Sequence, residues 1–273
     1  MAGSARPTHK AFSKEMTKQK LKDFPDSSDR AYCGFQQIPA EEKSKLVAGH
    51  FTSVAARYDL MNTLLSFGLH HLWKRTAVRM LGLKPGDRVI DVCGGTADLA
   101  LLAARDVGLS GRVVLYDINR AMLEAGRPKV AASSLAERIM YLQGDAQRLS
   151  LADATLDAAL VGFGIRNLTH PEAGLKEMHR VLKPGGTLMC LEFSTPKTPW
   201  FRRLYDLYSF TVIPLAGKLI AGSWGAYTYL PQSIRRFARP EELSATLEGL
   251  GFSQVRFRRL TNGIAVVHLG VKS

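Results

Sequence analysis

Cysteine is scarce in this chain, and the little there is does not pair. Cys33, Cys93 and Cys190 are the three among 273 residues, and no two stand in a CxxC arrangement. Neither a disulfide framework nor a thiolate zinc site is therefore expected, and sparse, odd cysteine usage suits a reducing cytoplasm. Histidine offers no metal-ligand spacing. Of the seven, only His70 and His71 cluster; adjacent residues on a helix point to different sides, so no metal is expected there. Long apolar runs are missing too. The first 30 residues are polar and hold no apolar signal core. The longest apolar candidates, Leu207 to Gly217 and Leu219 to Ile234, are interrupted by Pro214 and by Gly222, Gly225 and Pro231. Both fall short of the ~20 apolar residues a membrane span needs. Negative charge is the remaining deficit: 37 Lys and Arg face 24 Asp and Glu, a formal charge of +13. That balance calls for an anionic partner, either nucleic acid or membrane head groups. From Thr195 to Ser273 there are 11 basic residues against 4 acidic ones, a net +7, so most of the excess lies in the last third of the chain.

What is present suits one sizeable core. A chain of this length with 46% hydrophobic residues is ordinary for a single α/β domain. Residues 1–35 are expected to be a disordered basic tail, the only competing reading being a weak helix over HKAFSKEMTKQKLKDF. Residues 36–82 show helical patterning. From Asp87 the pattern alternates: RVIDVC, GRVVLYDI, RIMYLQGDA, LDAALVGFG and TLMCLEFS read as strands. Helices are expected over Ala97–Arg105, Arg120–Val130 and Pro171–Leu182, and LKPGG as a turn. Apolar strands separated by helices make a parallel, doubly wound sheet. After a helix over Pro240–Leu250, two strand-like runs flank Asn262-Gly263, a strong hairpin signal. The expected architecture is thus α/β and Rossmann-like, with seven strands, mostly parallel, ending in an antiparallel hairpin. Class I methyltransferases close their sheets in this way. Residues 36–273 would form one domain, with 196–236 as an insertion.

The stretch VIDVCGGTADLAL places Asp91 and a Gly-Gly turn where a strand passes into a helix. In open α/β sheets, ligands bind beyond the carboxyl ends of the strands. Gly94 and Gly95 let the backbone turn and let a ligand approach closely, and the following helix offers free N–H groups. The G-x-G-x-x-G of a nicotinamide site is not matched. Asp117, 22 residues past Gly95 and followed by Ile118, ends the second strand, where an acid holds ribose hydroxyls in either type of cofactor. A dinucleotide and S-adenosylmethionine both remain open on those features. The downstream order favours the second. Asp145 ends the third strand, where a carboxylate can accept from an adenine amino group; a helix N-cap or turn residue is the plainer reading of that side chain.

With those pieces in order, the chain from about Gly34 to Lys272 resembles the UbiE/MenG family, the C-methyltransferases of ubiquinone and menaquinone biosynthesis. The resemblance rests on GFQQIPAEEKSKLVAGHFTSVAARYDLMN, LLSFGLHHLWKR, GGTADLAL, DINRAML, FGIRNLTHPEAGLKEMHRVLKPGG, LEFSTP, YLPQSIRRF and TNGIAVVHLG. It implies S-adenosylmethionine contacts at Thr96, Asp117, Asp145, Ala146 and Gly162. Three departures stand out: the family usually has glycine where this chain has Ala97 and alanine or glycine at Cys93, and serine is common at Gly162. An alanine at a position that needs positive φ would weaken cofactor binding.

The implied reaction moves a methyl group from a sulfonium to a ring carbon of a polyprenyl quinol, and needs no metal. A phenol has a pKa near ~10, and its ring carbon is far more nucleophilic as the phenolate. Arg166 could lower that pKa by its charge, Asn167 could orient a hydroxyl or a water, and Tyr58, Asp59 and Asp98 are further candidates, Asp98 as a base through water. A structural ion pair for Arg166 and a core role for Tyr58 are the plainer readings. Residues 200–229 carry eight aromatics interleaved with Arg202, Arg203 and Lys218. They are expected to cover the cofactor pocket, form the quinol pocket and touch the membrane surface, making a peripheral protein on the cytoplasmic, inner face. A homo-oligomer is compatible with this reading. Nucleic acid is not expected as a partner, since no N/D-P-P-Y element or appended RNA-binding motif occurs. A nucleic-acid methyltransferase, a nicotinamide oxidoreductase and a non-catalytic scaffold are the competing classes.

Overall fold

The computed structural model describes residues 30–273, so the expectation for residues 1–29 lies outside the described residues. Residues 30–35 depart from the expected tail. Strands β1 (Arg30–Cys33) and β2 (Gln36–Pro39) pair antiparallel around Gly34, whose φ of +60° closes a two-residue turn. A Cβ at Gly34 would collide with Gln232, so glycine also lets this hairpin lie against a late helix.

Three helices follow: α1 (Ala40–Val54), α2 (Tyr58–Leu65) and α3 (Leu69–Leu81). Then come β3 (Arg88–Val92), α4 (Asp98–Asp106), β4 (Arg112–Asp117), α5 (Arg120–Ala131), β5 (Ile139–Gln143), β6 (Leu156–Gly162), α6 (Pro171–Val181) and β7 (Leu182–Phe193). The insertion holds α7 (Pro199–Leu207), a π-turn over Tyr208–Val212, α8 (Ile213–Ala216), a second π-turn over Gly217–Ala221, and α9 (Trp224–Arg236). The chain ends with α10 (Pro240–Gly249), β8 (Phe252–Leu260) and β9 (Ala265–Lys272).

The main sheet has seven strands in the order β5-β4-β3-β6-β7-β9-β8. The first five are parallel, and β9 runs antiparallel between β7 and β8. Strand order reverses between β3 and β6, which opens a crevice at their carboxyl ends. Alternation along the strands divides the core: Val89 and Leu160 pack into one apolar layer, and Ile90, Val92, Ala159 and Val161 into the other. A side chain that alternates faces every residue needs apolar neighbours on both sides, which explains the near-continuous apolar strands.

Two local readings are revised. LKPGG is part of β7 rather than a turn before it. Leu156 pairs with Leu182 and Ala158 with Thr187, so the extra residues bulge out at Gly185, φ +77°. The final hairpin turns through Thr261–Gly263 and pairs Leu260 with Ala265, a longer loop than the two-residue turn Asn-Gly favours. A third apolar cluster, Val54, Met61, Ile213, Ala221 and Tyr227, joins the N-terminal helices to the insertion.

Candidate active site

The reversal crevice opens into a cavity of about 1030 Å³, counting its open mouth. The β3–α4 turn forms its floor. Asp91 is fully buried there, and neither carboxylate oxygen has a partner in normal hydrogen-bond geometry. Burial pushes its carboxyl well above the usual range, and the Ala100 N–H relieves this only in part. The Gly94 N–H donates to the Tyr116 carbonyl (3.1 Å) and the Gly95 N–H to Asp117 Oδ2 (2.9 Å). A Cβ at Gly94 would lie 2.3 Å from Leu115 and 2.9 Å from the Asp91 carboxyl group, so this turn admits no side chain. Asp117 also accepts the Asn119 N–H (2.8 Å).

Backbone strain gathers here. Cys93 (φ +56°), Ala97 (φ +69°) and Phe163 (φ +58°) all adopt the left-handed conformation that favours glycine. Ala97, the residue before α4, is wholly buried, so its methyl costs strain but fills core space. The reservation about alanine at this position therefore applies: the turn does require positive φ.

At the carboxyl end of β5, Asp145 Oδ1 accepts from the backbone N–H of Gln147 (2.9 Å) and from its side chain (3.1 Å). Asp145 is thus a turn-forming residue as well as a cavity-lining one, beside the buried Ala146. Gly162 lies opposite; a Cβ on it would meet Leu99 at 2.4 Å. The half-exposed Ile118 lines the mouth. Asp91, Gly94, Gly95, Thr96, Asp117, Ile118, Asp145, Ala146 and Gly162, the residues expected from sequence to hold the cofactor, all line this one cavity.

The roof differs from expectation. It is Ser44, Val47, Ala48 and Phe51 of α1, with Tyr58 of α2; no residue of the insertion lines the cavity. Helix α1 is held down by Asn119, whose Nδ2 donates to the Ala48 carbonyl and to Thr52 Oγ1, both at 3.0 Å. Asp59 is a second tie: it accepts from Thr96 Oγ1 (2.6 Å) and pairs with Lys129 (2.8 Å). Its carboxylate is thus spent on fastening α2 to the glycine turn, and it does not line the cavity.

Asp98 does line it, but clamped between Lys74 (2.7 Å) and Lys129. Burial alone would raise its carboxyl; the two lysines outweigh that and hold it well below the usual carboxylate range. A carboxylate so stabilised is a poor proton acceptor, so the role of base is withdrawn for Asp98. His70 and His71 do not diverge as expected. Their rings lie 3.8 Å apart, and with Asp98 they bring ligand atoms within 4.8 Å of one another. Lys74 and Lys129 already occupy that carboxylate, and desolvation together with the Lys74 charge lowers His70 to about 4, an environment hostile to a further cation.

The FGIRN segment forms a short 3₁₀ turn, Ile165–Asn167, after β6. Asn167 lines the cavity, its Oδ1 accepting from the Tyr229 hydroxyl (3.1 Å) and its Nδ2 donating to the Phe163 carbonyl (3.3 Å). Arg166 turns inward instead. Its side chain pairs with Glu192 (Nη1 to Oε2, 2.9 Å) behind the wall made by Phe163, Gly164 and Asn167. Its expected direct contact with a ligand in the cavity is therefore not what the fold provides. Tyr58 is a lining residue whose hydroxyl is raised by burial and lowered in part by the Asn62 side chain and the Arg166 charge. Lys74, Lys129, Glu192 and Tyr229 were not singled out from sequence. Lys74, Glu192 and Tyr229 sit within the motifs LLSFGLHHLWKR, LEFSTP and YLPQSIRRF, but nothing in those motifs says what each side chain meets.

Residues 39–272 match the sequence model of the ubiE/COQ5 methyltransferase family. A ubiquinone/menaquinone biosynthesis C-methyltransferase UbiE from Ectopseudomonas mendocina is 46% identical over 239 residues, covering 88% of this chain and 93% of that protein. The protein of the same description from Teredinibacter turnerae is 46% identical over 240 residues, covering 88% and 96%. Among solved structures, a SAM-dependent methyltransferase from Thermotoga maritima shares the fold with a TM-score of 0.57 at 21% identity, covering 83% of this chain and 100% of that one.

Proposed function

The chain belongs to the ubiE/COQ5 methyltransferase family, and from that premise we propose that it methylates a ring carbon of a polyprenylated quinol in ubiquinone or menaquinone biosynthesis. The methyl donor is S-adenosylmethionine, which supplies an already activated methyl group on its sulfonium. The chain's residues fit that donor: the buried, unpartnered Asp91 carboxylate and a glycine turn that a single Cβ would fill are the features of a ligand cradle. Asp117 would hold the sugar hydroxyls, Asp145 and Ala146 the adenine, and Gly94, Gly95, Thr96 and Gly162 the rest.

The observation that carries the quinol reading is the pairing, across one cavity, of this cradle with Tyr58 and Asn167, with the Arg166 charge just behind. Tyr58 and Asn167 present hydroxyl and amide groups to the ring oxygen. Arg166 favours loss of the phenolic proton through its field rather than by contact, as its effect on Tyr58 illustrates. Helix α1 excludes water from above, and α1, Tyr58 and the glycine turn fix the line of approach.

The polyprenyl tail needs an apolar exit. Phe67 on the α2–α3 turn is 80% exposed and packs beside Tyr208, while Trp200, Leu207, Leu215, Leu219 and Trp224 of the insertion are also exposed. Such an apolar face with Arg202, Arg203 and Lys218 in the same segment suits the boundary of an anionic bilayer. Among the described residues, no helix is long and apolar enough to cross a membrane. The protein would work as one domain, residues 30–273, at the cytoplasmic surface of the membrane. Extracting quinones from cells lacking the protein tests the reaction: a precursor lighter by one methylene is expected, and its ring identifies a benzoquinol or a naphthoquinol. Unchanged quinones would refute the reading. Flotation with anionic and neutral liposomes tests the membrane face, and binding indifferent to both lipid charge and salt would count against it.

A further inference from the structure

Glu192, at the carboxyl end of β7, is a buried acid that the chemistry above leaves unused. It is 2% exposed. Its Oε2 faces Arg166 Nη1 at 2.9 Å and accepts the Phe193 N–H at 3.0 Å, and its Oε1 lies 3.4 Å from the Arg166 backbone N–H. Arg166 spends Nη1 on this carboxylate and on the Phe163 carbonyl (2.5 Å). Its Nε is buried with no hydrogen-bond partner among the described residues, and the Phe193 ring lies 5.3 Å from the guanidinium. The pair therefore holds a donor in reserve immediately behind Gly164 and Asn167 of the cavity wall.

The groups that sense this carboxylate are few. Arg166 is the cation. The thiols of Cys93 on the cavity wall and Cys190 on β7, and the Tyr229 hydroxyl on α9, are each pushed up chiefly by burial, and its charge adds to that in the same direction. In so dry a place, creating a phenolate beside an ion pair that is already neutral adds an uncompensated anion, which is costly. The cost falls if the carboxylate gives up its charge as the phenolate gains one, because Arg166 then has one anionic partner throughout.

We propose that Glu192 is a positioning residue that acts through Arg166: a carboxyl that takes up the proton as the quinol gives one up, so that the cation passes from carboxylate to phenolate. This rests on the quinol reading above. In the step, the quinol O–H bond breaks, Arg166 yields a guanidinium proton to a Glu192 oxygen and regains one from the cavity side, and the electron pair stays on the phenolate oxygen. Once the ring carbon has gained its methyl group, the ring hydrogen leaves that carbon as a proton. One of the two protons returns to the oxygen and the other passes to solvent, so Glu192 ends each turnover ionised. Burial already raises the Glu192 carboxyl, against the pull of Arg166, which narrows its gap from a phenol near ~10.

The test is the pH profile of kcat for the full chain with a short-tailed quinol, in the wild type, Glu192→Gln and Glu192→Asp. Glu192→Gln is expected to lose about 100-fold at pH 7 and to lose the plateau that follows the wild type's acid limb. Its rate should climb about tenfold per pH unit as hydroxide takes over, closing the deficit in alkali. Glu192→Asp keeps the plateau at a lower rate. A second readout needs no turnover: the absorbance of a non-methylatable phenol bound with S-adenosylhomocysteine. In Glu192→Gln its ionisation midpoint should fall by at least one pH unit, because Arg166 has lost its carboxylate partner. An equal loss at every pH with an unmoved midpoint overturns the proposal. Should Glu192→Gln fail to bind S-adenosylmethionine, Glu192→Asp decides, and a pH-independent loss there overturns it equally. Arg166→Ala separates the two readings. If it moves the midpoint and the Glu192 variants do not, only the Glu192 role falls; if it too leaves kcat and midpoint untouched, the quinol role of Arg166 falls as well.

Discussion

Replacing Asp98 with Asn separates an architectural carboxylate from a catalytic one. The side chain of Lys74 is 8% exposed and that of Asp98 18%, and they meet at 2.7 Å. Lys129, 31% exposed, bridges Asp98 and Asp59. The amide of Asp98→Asn would keep the shape and remove the charge. Lys129 retains Asp59, but Lys74 is left as a buried cation against a neutral amide. Breaking a buried pair from one side costs about 3–5 kcal/mol; since Asp98 is partly exposed, the lower figure, about 3 kcal/mol, applies. For a chain of this size that is a fall in Tm of about 6–12 °C. Adding Lys74→Met should remove the orphaned charge and recover about 2 kcal/mol, a coupling measurable from thermal or urea melts of the four proteins. Holding the turnover of the folded fraction within about tenfold would complete the case. If Asp98→Asn instead melts within about 0.5 kcal/mol of wild type while kcat falls by more than about 100-fold, Asp98 is a base after all and the clamp argument is wrong.

His268 is 2% exposed within β9, and desolvation lowers it to about 4 despite its hydrogen bond to the Pro240 carbonyl. Unfolded it would titrate near ~6.5, so its contribution is complete above that pH and is lost as pH falls from there towards 4, about 3 kcal/mol in all. The difference between the wild-type and His268→Phe stability curves should show that slope in that window and be flat above it; a slope above pH 7 would refute the assignment. Gly94→Ala, which drives a Cβ into Leu115 and the Asp91 carboxyl group, is expected to abolish S-adenosylmethionine binding by calorimetry, and near-normal affinity would mean the turn is not the cradle. Gly162→Ser should cost about 1–3 kcal/mol by overpacking against Leu99, read as a lowered Tm. Combining it with Leu99→Ala should cost less than the sum of the two single changes, and strict additivity would count against the contact.

The order of strands and helices, the antiparallel ending and the glycine turn after β3 were legible in the residues, because each is written locally. Apolar alternation reports which faces of β3 and β6 are buried, and Asp91, Gly94 and Gly95 lie within one turn of chain, so their mutual geometry hardly depends on anything distant. What the tertiary structure alone decided is which distant side chain each polar residue meets. Asp59 finds Lys129 across 70 positions, Asp98 finds Lys74 across 24, and Arg166 finds Glu192 across 26. Periodicity says that Arg166 sits in a turn beside the sheet; it does not say whether the guanidinium faces the cavity or the neighbouring strand. That choice follows from β6 and β7 lying side by side, which puts a buried carboxylate where an inward-turned arginine is better paired than in water. The roof shows the same division. Residues 200–229 carry the aromatics, yet α1 closes the cavity, because Asn119 and Thr96 offer hydrogen-bonding groups that the N-terminal helices alone are placed to reach. Local conformation follows from forces acting within a few residues, and those are written in the order of the amino acids. The pairing of charges across a fold depends on the path of the whole chain.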